Sequence, residues 1–288
     1  MKKLKLINLA FSLSMFLPSI AATPVAINIW EDKSPQFENG LSPDAEIIEN
    51  PGWISMVTEP VLYVYPAENP NGTAIVLCPG GGYSGVAIEH EGKAWADMLN
   101  DNGITLAVLK YRMPNGNYNV PYEDTMRALE IIHLNADQWG VDPQKIGIAG
   151  ASAGGHLAST VATHSIGNEY APDFQVLLYP VITMDESFTH SGSRENLLGK
   201  NPPEDLVRNY CNELQVTDKT PSAFIAVSGD DTVVPVKNSI EYFNALNLNK
   251  VPAALFIYPT GGHGWGYNPQ FIHNDAWTSE LLHWLNTL

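Results

Sequence analysis

The sequence predicts an α/β fold, a mostly parallel central sheet with helices on both faces. Short β-type runs alternate with segments of helical periodicity along the chain, and several of those runs are apolar throughout, as strands covered on both faces must be. From the second run onward the connections are long enough to hold a helix, which is the pattern of right-handed crossovers in a parallel sheet.

Taken in order, the first 22 residues stand apart. "MKKLKLINLAFSLSMFLPSIAA" has a basic start at Lys2, Lys3 and Lys5, an apolar middle from Leu6 to Ile20, and small residues at Ala21 and Ala22. This is the pattern of a secretory signal peptide, and Pro18 argues against a packed helix. No cysteine stands near the cleavage region, which argues against a lipid anchor. The β-type runs that follow are "VLYVY" (61–65), "AIVLC" (74–78), "ITLAVLKY" (104–111), "KIGIA" (145–149), "FQVLLYP" (174–180), "AFIAV" (223–227) and "ALFIYP" (254–259). Helices are expected at "KAWADMLNDNG", at "VPYEDTMRALEIIHLNADQWG", after Ser152, at "VKNSIEYFNALN" and at "NDAWTSELLHWLNTL". In the second, Met126, Leu129, Ile132 and His133 fall at helical spacing. No repeat or linker divides residues 23–288, so one domain is expected. The irregular stretch 183–222, with short helix candidates near "SRENLLG" and "PEDLVRNYC", reads as a small insertion before the penultimate strand. Such an insertion is either surface decoration or, since ligands of open α/β sheets bind at the strand ends, a cover for the substrate.

Composition narrows the function classes. Of 288 residues 44% are apolar and 16% charged, and after the leader no apolar run approaches the ~18 residues of a membrane span. The formal charge of −16 becomes −19 once the three leader lysines are gone. That balance disfavours nucleic acid and anionic membranes as partners and favours neutral substrates. Cys78 and Cys211 leave one disulfide conceivable in an oxidising compartment, although Cys78, ending an apolar run, reads better as a small buried hydrophobe.

The chemistry starts at "KIGIAGASAGGHLA". A strand that turns at once into a helix brings backbone atoms too close for side chains at Gly150 and Gly154, and the turn lifts the Ser152 hydroxyl clear of the sheet. A serine so placed needs a base and an orienting carboxylate later in the chain. Of eight histidines, His263 stands in a glycine-lined loop, "YPTGGHGWG", after the last apolar strand. His273 and His283 fall in the terminal helix pattern; His90, His133, His156, His164 and His190 read as surface or core residues. The acid belongs after "AFIAV", where "SGDDTVVP" offers two aspartates. Asp231 has the D-x-x-V-P placement, while Asp230 reads as a turn residue. Acyl transfer also needs oxyanion donors, and "CPGGGYSG" supplies a loop where backbone can approach a carbonyl without a Cβ in the way. The expected donors are the amides of Gly81, Gly82 and Ala153. The same glycines lack the lysine of a phosphate loop and the spacing of a dinucleotide fingerprint. "EHEG" (89–92) reads as a solvated helix start, because three successive ligands cannot face one metal from a helix. No metal and no cofactor are expected. Tyr83, Trp265 and Tyr267 are candidate substrate-binding aromatics, against a sugar ring or around an apolar acyl pocket.

With the glycine loop, the serine turn, the Asp loop and the His loop in this order, residues 55–288 resemble the α/β-hydrolase fold. More narrowly, "CPGGGYSGVAIEHEGKAWADMLNDNGITLAVLKYRMP", "GASAGGHLAST", "SGDDTVVPVKNSIEYFNALN" and "YPTGGHGWG" resemble secreted bacterial acetyl xylan esterases and hormone-sensitive-lipase-type carboxylesterases. That group usually carries H-G-G-G at the oxyanion loop, and here Pro79 replaces the histidine. The resemblance implies Ser152, Asp231 and His263 as a triad, an acyl-enzyme mechanism, and acetyl or feruloyl esters of xylan-type carbohydrate as substrates, in a secreted or periplasmic protein. Two other readings use the same residues differently: a general small-ester carboxylesterase or serine peptidase, and a catalytically inactive carbohydrate-binding module. A binding module has no need of Ser152, Asp231, His263 and the glycine loop together.

Overall fold

Apolar runs this short can bury both faces only inside a layered sheet, and the computed structural model, which describes residues 24–288, has that form. The leader assigned to residues 1–22 lies outside the described residues. The strands are β1 (Val25–Asn28), β2 (Ile47–Asn50), β3 (Trp53–Ser55), β4 (Val61–Tyr65), β5 (Gly72–Cys78), β6 (Gly85–Val86), β7 (Thr105–Lys110), β8 (Val141–Ala151), β9 (Phe174–Leu178), β10 (Ser222–Ser228) and β11 (Ala253–Tyr258). Eight of them form one sheet in the order β1-β4-β7-β5-β8-β9-β10-β11, and β2, β3 and β6 form a small second sheet. In the large sheet β4 runs antiparallel to both β1 and β7, and every pairing from β7 to β11 is parallel. The mostly parallel sheet expected from the sequence is therefore present. It gains an antiparallel edge, β1, and a satellite sheet that the apolar pattern did not announce.

The flanking helices are α1 (Ala96–Asn100), α2 (Asn119–Leu134), α3 (Ala136–Trp139), α4 (Ser152–His164), α5 (Ser191–Leu198), α6 (Glu204–Asn209), α7 (Lys237–Leu248) and α8 (Asn274–Leu285). In α2, Asp124, Thr125, Ala128, Leu129 and Ile132 are buried. That face carries a charge: Asp124 is fully buried and accepts from Arg112 Nη2 at 2.7 Å and from Trp30 Nε1 at 2.7 Å. Arg112 Nη1 in turn donates to the Phe37 carbonyl, so this pair ties the N-terminal segment to the sheet. Helix α4 is buried over nearly its whole length and packs against β8 and β9. Residues 183–222 emerge between β9 and β10 and carry α5 and α6. Both cysteines are buried and free: Cys211 Sγ accepts from Thr183 Oγ1 at 3.3 Å, and the Cys78 thiol lies 3.9 Å from Thr125 Oγ1.

Candidate active site

Helix α4 begins on the residue after β8 ends, with no connecting loop. A Cβ on Gly150 would strike the Gly154 carbonyl, and one on Gly154 would strike the carbonyls of Cys78 and Pro79. The absence of side chains thus lets α4 sit directly on the C-terminal end of β5. Ser152 at the apex has φ +53°, a left-handed conformation that is costly for a residue with a Cβ and holds its hydroxyl off the sheet.

The two other loops meet it there. His263, after β11, places Nε2 2.8 Å from Ser152 Oγ. Its Nδ1 lies 2.7 Å from Asp231 Oδ2, in the loop after β10. The second oxygen, Oδ1, accepts from the amides of Val233 and Val234 at 2.9 Å each, which fixes the carboxylate plane. Asp230 is turned the other way, with its oxygens on the amides of Gly261 and Gly262 at 3.3 and 2.8 Å. The two aspartates thus divide their work: one orients the imidazole and the other shapes the loop that carries it.

Across from this line stands the glycine loop. Gly81 and Gly82 border the same cavity as Ser152 and His263, and their amides donate to no described residue. Ala153, second in α4, has an amide with no acceptor inside the helix. Of the three donors named from sequence, Gly81 and Gly82 thus border the cavity with Ser152, and Ala153 follows the serine in α4. Pro79 leaves its carbonyl to the Tyr111 hydroxyl at 2.8 Å, so the loop is anchored without a histidine at that position. The cavity measures about 240 Å³, and Trp53, His190, Val233 and Glu91 also line it.

Several of these residues differ from the sequence reading. "EHEG" does not begin a helix. Glu89 and His90 are exposed, but Glu91 is 3% exposed and its carboxylate is fully used: Oε2 accepts from the Gly80 amide at 2.8 Å and Oε1 from the Tyr179 hydroxyl at 2.7 Å. Tyr179, just past β9, also accepts from the Gly266 amide at 2.7 Å, and its ring stands edge-on to His263 with centroids 4.8 Å apart. Burial, and then the Glu91 charge, push the Tyr179 pKa well above its ordinary value, so the hydroxyl stays protonated and keeps donating. Its place at the carboxyl end of a central parallel strand, where such sheets bind ligands, is the signal that could have found it.

The three aromatics expected at the substrate point elsewhere. Tyr83 is buried, with its hydroxyl 2.9 Å from His156 Nδ1. Trp265 is buried, stacks on Phe271 and donates to Ser228 Oγ at 3.0 Å. Tyr267 packs against Trp277. None of the three lines the cavity, because each ring spends its apolar surface on the core. The aromatic that does border it is Trp53 on β3, in the satellite sheet, together with His190 from the insertion. The insertion is joined to the oxyanion loop itself, since Asn196 Nδ2 donates to the Gly82 carbonyl at 2.8 Å. Among the described residues no group of three or more His, Cys, Asp or Glu side chains could hold a metal, and no helix is long and apolar enough to cross a membrane.

A family model described as alpha/beta hydrolase fold matches residues 75–266. The acetylxylan esterase of Xylanibacter ruminicola is 41% identical over 225 residues, which are 77% of this chain and 47% of that protein. The endo-1,4-beta-xylanase B of Butyrivibrio fibrisolvens is 34% identical over 252 residues, 82% of this chain and 37% of that one. The chain therefore spans less than half the length of these two relatives. Among solved structures, the acetyl ester-xyloside bifunctional hydrolase of Caldicellulosiruptor lactoaceticus matches with a TM-score of 0.79 at 33% identity, covering 93% of this chain and 98% of that one.

Proposed function

We propose that this chain, which belongs to the alpha/beta hydrolase fold family, is a secreted serine esterase that removes acetyl groups from xylan-type polysaccharide or its fragments. The observation that carries the proposal is the unbroken line from Ser152 Oγ through His263 to Asp231, facing free amides across one small cavity. His263 Nε2 takes the Ser152 proton as the oxygen attacks the ester carbonyl. Asp231 holds Nδ1–H and stabilises the imidazolium that forms. The amides of Gly81, Gly82 and Ala153 receive the developing oxyanion; one such donor is worth about 3 kcal/mol of barrier. His263 then returns the proton to the departing sugar oxygen, leaving acetyl-Ser152, and activates water to release acetate.

The acyl group is argued from space. Pockets for drug-sized ligands run from ~300 to 1,000 Å³, and a cleft of about 240 Å³ beside Ser152 suits an acyl group as small as acetyl. The carbohydrate half rests on the names of the two relatives and of the matching structure, all of which concern xylan or xylosides. Export rests on the leader-like residues 1–22.

A fluorophosphonate probe should give a single adduct on Ser152 by mass spectrometry in the folded protein, and acetylated xylo-oligosaccharides should release acetate. No adduct at Ser152 overturns the mechanism. Labelling with release from aryl esters alone makes the protein a general carboxylesterase. N-terminal sequencing of protein recovered from outside the cytoplasm should begin near residue 23.

A further inference from the structure

The insertion between β9 and β10 places His190 beside the oxyanion loop. Its ring borders the cavity that holds Ser152, and a Cβ added to Gly82 would lie 3.6 Å from His190 Cε1. The state of the ring follows from the helix it caps. Nδ1 accepts from the Ser193 amide at 3.3 Å, as the N-cap of α5. An amide can donate only to an unprotonated ring nitrogen, so the neutral ring carries its proton on Nε2. The buried Ser193 hydroxyl, 2.8 Å from the same nitrogen, completes the anchor. Burial, and then the nearby His263 charge, lower the His190 pKa from the usual value, which keeps the ring neutral around pH 7. Nε2–H makes no hydrogen bond to a described residue. A donor is thus locked in one tautomer at the wall of the ester site and left unspent.

We propose that His190 is a specificity-determining residue whose Nε2–H binds a hydroxyl of the leaving alcohol adjacent to the ester, selecting acetates of sugars and polyols over acetates of plain alcohols. The inference rests on the ester-hydrolase reading and deepens it. Asn196 Nδ2 and the Glu91 carboxylate are already engaged by protein groups, whereas the His190 Nε2–H is not, and Trp53 and the exposed His90 line the same cavity. A polyol is the alcohol that can use a donor there. A leaving alcohol with no second hydroxyl offers the imidazole N–H no partner, and sites built around such a donor reject analogues that lack its partner.

The test uses two substitutions that separate the two ring nitrogens. His190→Asn keeps an acceptor at the Nδ1 position for the Ser193 amide and removes the Nε2 donor. His190→Gln restores a donor at the Nε2 position. Acetate release is measured from acetylated xylo-oligosaccharide, glycerol monoacetate and propyl acetate. In H190N, kcat/KM for glycerol monoacetate should fall about tenfold further than kcat/KM for propyl acetate, the usual weight of one hydrogen bond. H190Q should recover most of the difference. An equal loss on both esters, or no loss on either, overturns the proposal. A wild-type protein that releases acetate from none of the three overturns the esterase reading, and the role of His190 falls with it. Activity on glycerol monoacetate but not on the xylo-oligosaccharide rejects xylan as the substrate and leaves the comparison of variants decisive for His190.

Discussion

At the scale of single residues, the two aspartates of "SGDDTVVP" make the sharpest contrast. Asp231 Oδ2 holds His263 Nδ1 at 2.7 Å, whereas Asp230 is exposed and reaches only loop amides. Asp231→Asn should therefore lower kcat about 10³- to 10⁴-fold, since the amide no longer selects the productive imidazole tautomer. Asp230→Asn should cost about tenfold or less, through looser support of the His263 loop. Steady-state hydrolysis of 4-nitrophenyl acetate by the two variants checks the order, and near-equal losses would refute the division of labour. Ser152 and His263 could be singled out from the sequence because their signals are local: glycines required by an abrupt turn, and a histidine flanked by glycines after a strand. Glu91, Trp53 and His190 carried no such mark. "EHEG" has charged residues in succession, and only the tertiary path decides that the third is buried under Gly80 while the first two are exposed.

At the scale of elements, α4 does more than present Ser152. His156, fully buried on its first turns, sits 2.9 Å from the Tyr83 hydroxyl through Nδ1 and 2.9 Å from the Tyr210 carbonyl through Nε2. Nε2–H donates to the carbonyl and Nδ1 accepts from the tyrosine, so one imidazole joins the oxyanion loop, the helix and the end of α6. Burial lowers its pKa from 6.5 to about 4. The unfolded chain takes up this proton below pH 6.5 and the folded chain does not until about pH 4, so the contribution to stability is intact above pH 6.5 and is lost as the pH falls toward 4. One proton corresponds to at most about 1.4 kcal/mol per pH unit. Urea midpoints measured from pH 7 to pH 4.5 should fall, and His156→Gln, less stable at pH 7, should show a shallower fall. Identical pH slopes would remove His156 from the account. The insertion helices were foreseen near "SRENLLG" and "PEDLVRNYC", but their placement was not, because the contact of Asn196 with Gly82 joins residues that lie 114 positions apart.

For the whole molecule, the buried strands β5, β7, β9 and β10 were visible as apolar runs because both of their faces are covered. The exposed strands escaped that criterion: edge strand β1 is exposed at three of its four residues, and β2, in the satellite sheet, at every residue. The satellite sheet is held by pairing with β6, a two-residue strand in the glycine loop, and pairing of that kind leaves no trace in periodicity. The same depth of burial governs the thiols. Burial pushes the Cys78 pKa up to about 12 and raises that of Cys211, so neither is nucleophilic in the native state. A chromogenic disulfide reagent should react with neither cysteine in native buffer and with both in denaturant, without prior reduction. No reactive thiol in denaturant would reveal an oxidised pair.

The carboxylate beneath the oxyanion loop links distant parts of that sheet. Glu91 grips Gly80, which follows β5, and through the Tyr179 hydroxyl it grips Gly266, which follows β11, four places away in the strand order. The glycine loop and the loop that carries His263 are thus guyed to one post. A displacement on either side pulls on the other, so in the proposed mechanism attack and charge stabilisation keep a common alignment although their residues come from strands that never touch.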